Sequence, residues 1–127
     1  MFEIEVQDTF DAAHRVVSYP GKCDRLHGHT WRVEVNAAGT ELDELGMLVD
    51  FKGVRQKLKD VLGELDHQYL NELPMFKEHN INPTAENIAK YIYSAIKSSK
   101  VFDGERAVLK SVRVWESAHS AVRYSED

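Results

Sequence analysis

In His27-Gly28-His29-Thr30-Trp31-Arg32-Val33-Glu34-Val35-Asn36-Ala37-Ala38-Gly39, the residues Trp31, Val33, Val35 and Ala37 alternate with Arg32, Glu34 and Asn36 until Gly39 interrupts. This two-residue period belongs to a strand with one buried face. Side chains at i and i+2 of a strand point to the same side, so His27 and His29 continue the buried parity of Trp31. Two imidazoles so placed can share one metal ion. Gly28 between them is expected to permit close approach of backbone or ligand, which a larger side chain would hinder.

Working back toward the N-terminus, Phe2, Ile4, Val6 and then Phe10 alternate with Glu3, Glu5 and Gln7. This predicts a first strand, separated from the second by a loop containing Pro20-Gly21 and antiparallel to it in a simple meander. Phe10, Ala12 and His14 share a parity, so a strand that reaches His14 brings a third imidazole to the same end of the pair. Three neutral imidazoles with an open fourth position form a catalytic zinc arrangement, in which the metal acts as a Lewis acid toward a bound oxygen. A histidine on an inward strand face is also a common hydrogen-bonded core residue, and for His14 taken singly that reading stands beside the metal. Cys23 is the only cysteine, so it forms no internal disulfide. It is a buried small hydrophobe, a reactive thiol, or a fourth ligand that would close the site into a structural zinc centre of a non-catalytic oligomerisation module.

Working forward, the period changes at Phe51. Phe51, Val54, Leu58, Val61, Leu62 and Leu65 recur mostly at three- and four-residue steps among charged residues, which predicts an amphipathic helix with Asp50 as N-cap. A second helix is predicted from Pro83-Thr84, with Thr84 capping and Ala85, Ile88, Ala89, Ile92 and Ile96 along it until Ser98-Ser99-Lys100. Val112 and Val114, then Ser120, Val122 and Tyr124, restore alternation after a break at Ser117-Ala118. The order β-β-α-α-β-β implies an α+β fold, a four-stranded antiparallel sheet with two helices on one face. With 127 residues, no internal repeat and no linker, residues 1–127 read as a single domain.

Hydrophobic residues at 43% and charged residues at 29% fit a globular protein. No apolar run approaches a membrane-spanning length, and the N-terminus alternates with acids, so cytoplasmic residence and no membrane partner are expected. The net charge of −5 without a basic tail argues against a nucleic-acid partner. Locally, Arg15, Lys22, Arg25 and Arg32 face the single acid Asp24, which suits a small anionic ligand or a solvated loop equally.

Two further places carry chemistry. Asp66-His67 follows the first helix, and its carboxylate can orient the imidazole for acid–base relay provided the helix has ended; the other reading is a histidine at the negative end of a helix dipole. Glu116 lies on the buried parity of Val112 and Val114 and needs a partner. It can accept two hydrogen bonds from a guanidine-like amino-pyrimidinone edge or pair with an arginine. His79 and His119 sit in polar loop contexts.

Phe10-Asp11-Ala12-Ala13-His14, Cys23 through His27-Gly28-His29, Val49-Asp50-Phe51, Leu65-Asp66-His67 with Tyr69-Leu70-Asn71, Pro83 to Asn87 and Val114 to Ser117 occur in this order along nearly the whole chain. Together they resemble the 6-pyruvoyltetrahydropterin synthase superfamily, and most its bacterial 6-carboxytetrahydropterin synthase branch of queuosine biosynthesis. The resemblance implies a tunnelling fold (T-fold), whose subunits join their sheets into an oligomeric barrel, commonly a hexameric dimer of trimers with active sites between subunits. It implies Zn2+ on His14, His27 and His29, Cys23 as catalytic thiolate, Asp66 and His67 as proton relay, and Glu116 binding the pterin ring. The implied substrate is 7,8-dihydroneopterin triphosphate, cleaved to 6-carboxy-5,6,7,8-tetrahydropterin with loss of acetaldehyde and triphosphate. Three residues between Cys23 and His27 resemble the carboxy-forming branch, whereas the pyruvoyl-forming branch usually has a longer spacer. Arg15, Lys22 and Arg25 are candidate triphosphate contacts from charge alone.

Overall fold

A computed structural model describes residues 1–21 and 24–126. Phe2–His14 forms β1 and His27–Gly39 forms β2, and they pair antiparallel over their full length, from Phe2 opposite Gly39 to His14 opposite His27. Strand one therefore does reach His14. Val108–Ser117 (β3) pairs with β2, and Ser120–Tyr124 (β4) pairs with β3, giving the all-antiparallel order β1-β2-β3-β4. The last residue of β2, Gly39, is glycine for a steric reason: a Cβ there would lie 2.3 Å from the carbonyl oxygen of Arg106.

Helix α1, Phe51–Gly63, begins at Asp50, whose carboxylate accepts a hydrogen bond from the amide of Lys52 at 2.9 Å. It buries Val54, Leu58, Val61 and Leu62. A short helix α2, Pro74–Lys77, and a 3-10 turn, Leu70–Glu72, follow. The sequence reading missed both, because a four-residue helix offers no periodicity: Pro74 starts it, Phe76 is its buried anchor in the core and Met75 packs partly buried beside it. Helix α3, Ala85–Ser98, is capped by Thr84, whose hydroxyl accepts from the amide of Asn87 at 3.2 Å, and buries Ile88, Ala89, Ile92 and Ile96.

These helical residues form one core with Val6, Phe10, Trp31, Val33, Val35, Val112 and Val114 from alternate positions of β1, β2 and β3. One sheet face is thus covered, with α1 against β1 and α3 against β3 and β4. The other face is polar and shields itself. Trp115 there lies under the guanidinium groups of Arg32 and Arg113, at 3.8 Å and 4.3 Å, and Glu34 accepts a hydrogen bond from Gln7 at 3.0 Å.

Candidate functional site

The β1–β2 register sets His14 directly opposite His27, and Ala12 opposite His29, so all three imidazoles leave the helix-covered face at one end of the strand pair. The ring of His14 lies 4.5 Å from that of His27 and 5.2 Å from that of His29, centroid to centroid, and 4.9 Å from Trp31, which floors the cluster. β3 adds a fourth group. Glu116 lies one residue beyond the last β2–β3 pair, Arg32–Trp115, and its Oε1 is 3.1 Å from His29 Nε2 and 3.8 Å from His14 Nε2. One ligand atom from each of these four residues falls within 4.8 Å of the others. Neither an arginine nor any other cation takes Glu116 as its ion-pair partner among the described residues; its close neighbours are imidazoles.

Ring orientation is fixed from behind. His14 Nδ1 donates to the carbonyl of Pro83 at 2.7 Å, and His27 Nδ1 to the carbonyl of Arg25 at 2.7 Å, which leaves Nε2 of each ring with its lone pair facing inward. Nε2 of His14 and of His29 is buried without a hydrogen-bond partner, since the approach of Glu116 is close but misaligned. Buried polar atoms are seldom left so, and convergent lone pairs are what a metal ion satisfies. Burial holds His14 below the ordinary histidine pKa, against the opposing hydrogen bond to Pro83, and the neighbouring His27 pushes it further down. His29 is likewise lowered by burial, with Glu116 opposing. Both rings are therefore neutral at neutral pH, the protonation state that ligates. The donor set of three imidazoles and a carboxylate fits a metal of the zinc type.

The chain leaving His14 is clamped by two asparagines. Asn71 bonds both the amide and the carbonyl of Arg15, each at 3.0 Å, and Asn82 does the same for Val17 at 2.9 and 3.2 Å. Sequence reasoning missed these partners, which lie 56 and 65 residues away. Arg15 itself pairs with Asp24 at 2.8 Å. A Cβ at Gly28 would meet the carbonyl of Ala12 at an ordinary 3.8 Å, so among the described residues no close backbone approach requires glycine there, and the open side of the position is left to a ligand.

Asp66 and His67 fall after α1 has ended, as their cooperation required, with Asp66 Oδ2 2.8 Å from His67 Nδ1. Their hydrogen bond holds His67 above the ordinary histidine value. They do not join the imidazole cluster. They gather with Asp11, whose parity is opposite to that of Ala12 and His14, and so lie across β1 from it. There they border an open hollow of about 610 Å3 lined also by Gly28, Thr30 and Tyr69. Cys23 and Lys22 lie outside the described residues.

A sequence profile described as 6-pyruvoyl tetrahydropterin synthase matches residues 3–127. The chain belongs to that family. It is an enzyme of the pterin synthase fold. A 6-carboxy-5,6,7,8-tetrahydropterin synthase from Haemophilus influenzae is 30% identical over 99% of this chain and 100% of its own length. One from Synechocystis is 36% identical over 98% of this chain and 93% of its own. Among solved structures, 6-pyruvoyl tetrahydropterin synthase of Caenorhabditis elegans superposes with a TM-score of 0.84 at 29% identity, covering 99% of this chain and 96% of that one. The T-fold expectation thus holds for the protomer. No helix of the described residues is long and apolar enough to cross a membrane.

Proposed function

We propose that this pterin synthase family member converts 7,8-dihydroneopterin triphosphate and one water molecule to 6-carboxy-5,6,7,8-tetrahydropterin, acetaldehyde and triphosphate, in queuosine biosynthesis. The observation that carries the reading is the set of inward, unpartnered Nε2 atoms on His14 and His29 beside His27, in a chain whose full-length relatives bear the carboxy-forming name. His14, His27 and His29 hold Zn2+, which supplies Lewis acidity toward the side-chain hydroxyls of the pterin. Glu116 accepts hydrogen bonds from the 2-amino and ring N–H groups of the pterin. Its distance of 3.1 Å from His29 supports this role, because a ring anchored there brings its side chain beside the imidazoles. Cys23, as thiolate, removes a proton from that side chain, and His67, oriented by Asp66, relays another.

Copies of the chain assemble into a barrel, a homo-hexameric dimer of trimers, through the edge of β4 and the part of the β1 edge that precedes Asp11, beyond which the turn from Asp66 to Tyr69 covers that strand. Asp66 and His67 form a set apart from the His14, His27, His29 and Glu116 cluster and meet it only through His29, on the rim of a shared open hollow, which supports a site that a second copy completes. The single 1–127 domain works in the cytoplasm on a small anionic pterin, without a nucleic-acid or membrane partner.

The test is incubation of zinc-loaded protein with 7,8-dihydroneopterin triphosphate, reading acetaldehyde and pterin mass together. Acetaldehyde with 6-carboxytetrahydropterin is the expected result. A product that keeps every side-chain carbon assigns the pyruvoyl-forming reaction instead, and zinc binding without turnover of either kind assigns a structural metal.

A further inference from the structure

Asp11 touches the Asp66-His67 pair at more points than packing requires. Its amide donates to Asp66 Oδ1 at 2.9 Å, and its carbonyl accepts from the amide of His67 at 2.6 Å. One strand residue therefore fixes both members of the pair through its main chain, 55 residues away in sequence. The next strand position continues the attachment, with the amide of Ala13 donating to the carbonyl of Gln68 at 3.1 Å. His67 needs such a hold, because its φ of 58° lies in the left-handed region that a non-glycine residue adopts at a cost.

The side chain of Asp11 does something separate. Thr30, its cross-strand partner, donates from Oγ1 to Asp11 Oδ1 at 2.5 Å and so directs the carboxylate. A carboxylate oxygen of Asp11, one of Asp66 and a ring nitrogen of His67 all fall within 4.8 Å of one another. Among the described residues, the charged groups facing the ring are Asp66 from its own turn and Asp11 from β1. β2 adds the neutral Thr30 and, bordering the same hollow, His29; Tyr69 lines it from beyond the turn.

We propose that Asp11 is a positioning residue for the Asp66-His67 pair: its main chain sets their geometry, and its carboxylate, steered by Thr30, is a second anion that holds the imidazole in its protonated form. This rests on the assignment of Asp66 and His67 to proton relay only for its effect on turnover, not for its effect on the imidazole. Two carboxylates against one imidazole favour the imidazolium over the neutral ring, so the pair starts from a charged, proton-loaded state. Asp66 makes the larger contribution and Asp11 adds to it in the same direction.

The experiment is an NMR titration of the His67 ring in full-length, zinc-loaded protein, assigned by the resonance lost in His67→Gln. Asp11→Asn keeps both main-chain bonds and removes the charge, and Thr30→Val removes the hydroxyl that steers it. The expected result is a lower titration midpoint for His67 in Asp11→Asn, a smaller shift of the same sign in Thr30→Val, and a wild-type midpoint in Thr30→Ser. The limb of the kcat pH profile that vanishes in His67→Gln should move down in pH by the same interval. An unchanged His67 midpoint in folded Asp11→Asn overturns the proposal; if that variant does not fold, an unchanged midpoint in Thr30→Val does so. Full turnover in His67→Gln would defeat the relay role instead, and leaves the ring titration to decide on Asp11.

Discussion

At the level of single residues, the four groups at the end of β1 and β2 differ in what each can give. His14 is almost wholly buried, with 1% of its surface exposed, and its Nδ1 is committed to Pro83, so its only free atom is the inward Nε2. His14→Ala therefore removes a ligand without offering a substitute. Zinc content after dialysis, read by mass spectrometry of the metal, is expected to fall well below one ion per chain in His14→Ala and in His29→Ala. Glu116 is 34% exposed at its side chain, which leaves it a face toward an incoming molecule. Glu116→Gln is expected to keep zinc and to raise KM for the pterin by about ten- to a hundredfold, the loss of a charge-assisted hydrogen bond of roughly 1.5–3 kcal/mol. Zinc lost from Glu116→Gln would make this carboxylate a ligand. Cys23→Ala is expected to retain zinc and to lower kcat by about two to four orders of magnitude, the usual contribution of a positioned proton-transfer group.

At the level of elements, the turn from Asp66 to Tyr69 covers the outer edge of β1 where that strand carries the site. Its two charges make its stability depend on pH from both sides. Asp66 is held below the ordinary carboxylate value of 3.8, first by the Asp11 amide and then by His67, so its contribution is present above 3.8 and lost as pH falls through the lowered value. His67 is raised above 6.5 by Asp66, so its contribution is present below 6.5 and lost as pH rises through the raised value. Protection of the His67 amide from hydrogen exchange, corrected for intrinsic exchange rates, is expected to be greatest between pH 3.8 and 6.5 and to decline on both sides. His67→Gln should abolish the alkaline decline and keep the acid one. Away from the turn, Leu58→Ala in α1 removes a fully buried side chain and is expected to cost about 2–5 kcal/mol in denaturant unfolding, with kcat unchanged in the folded fraction. These elements differ in how plainly the sequence announced them. The strands, α1 and α3 declare themselves by period and by the caps Asp50 and Thr84, and parity alone aligned His14, His27 and His29. The proximity of Glu116 to His29, the bonds from Asp11 to the pair and the asparagine clamps depend on which strand and loop arrive alongside. That is set by pairings across tens of residues, which no local pattern carries.

At the level of the whole molecule, the imidazole cluster joins pieces distant in sequence. β1 supplies His14, β2 supplies His27 and His29, the loop before α3 supplies the Pro83 carbonyl behind His14, and the end of β3 brings Glu116 alongside for the pterin. Without an ion, the buried Nε2 atoms of His14 and His29 keep their desolvation cost unanswered, so binding to the folded state alone must appear as stability. With free zinc at a hundred times its Kd, the gain is about 2.7 kcal/mol. For a chain of this size that corresponds to a rise in Tm on the order of 10 °C. Calorimetry of chelator-stripped protein should show this fall in Tm and its recovery on adding zinc. The recovery should be absent in His29→Ala, whose unfolding should match that of the stripped wild type whether or not zinc is added. A stripped protein that melts where the loaded one does would mean that the imidazoles are satisfied by one another, and the reading of the cluster as a metal centre would fail with it.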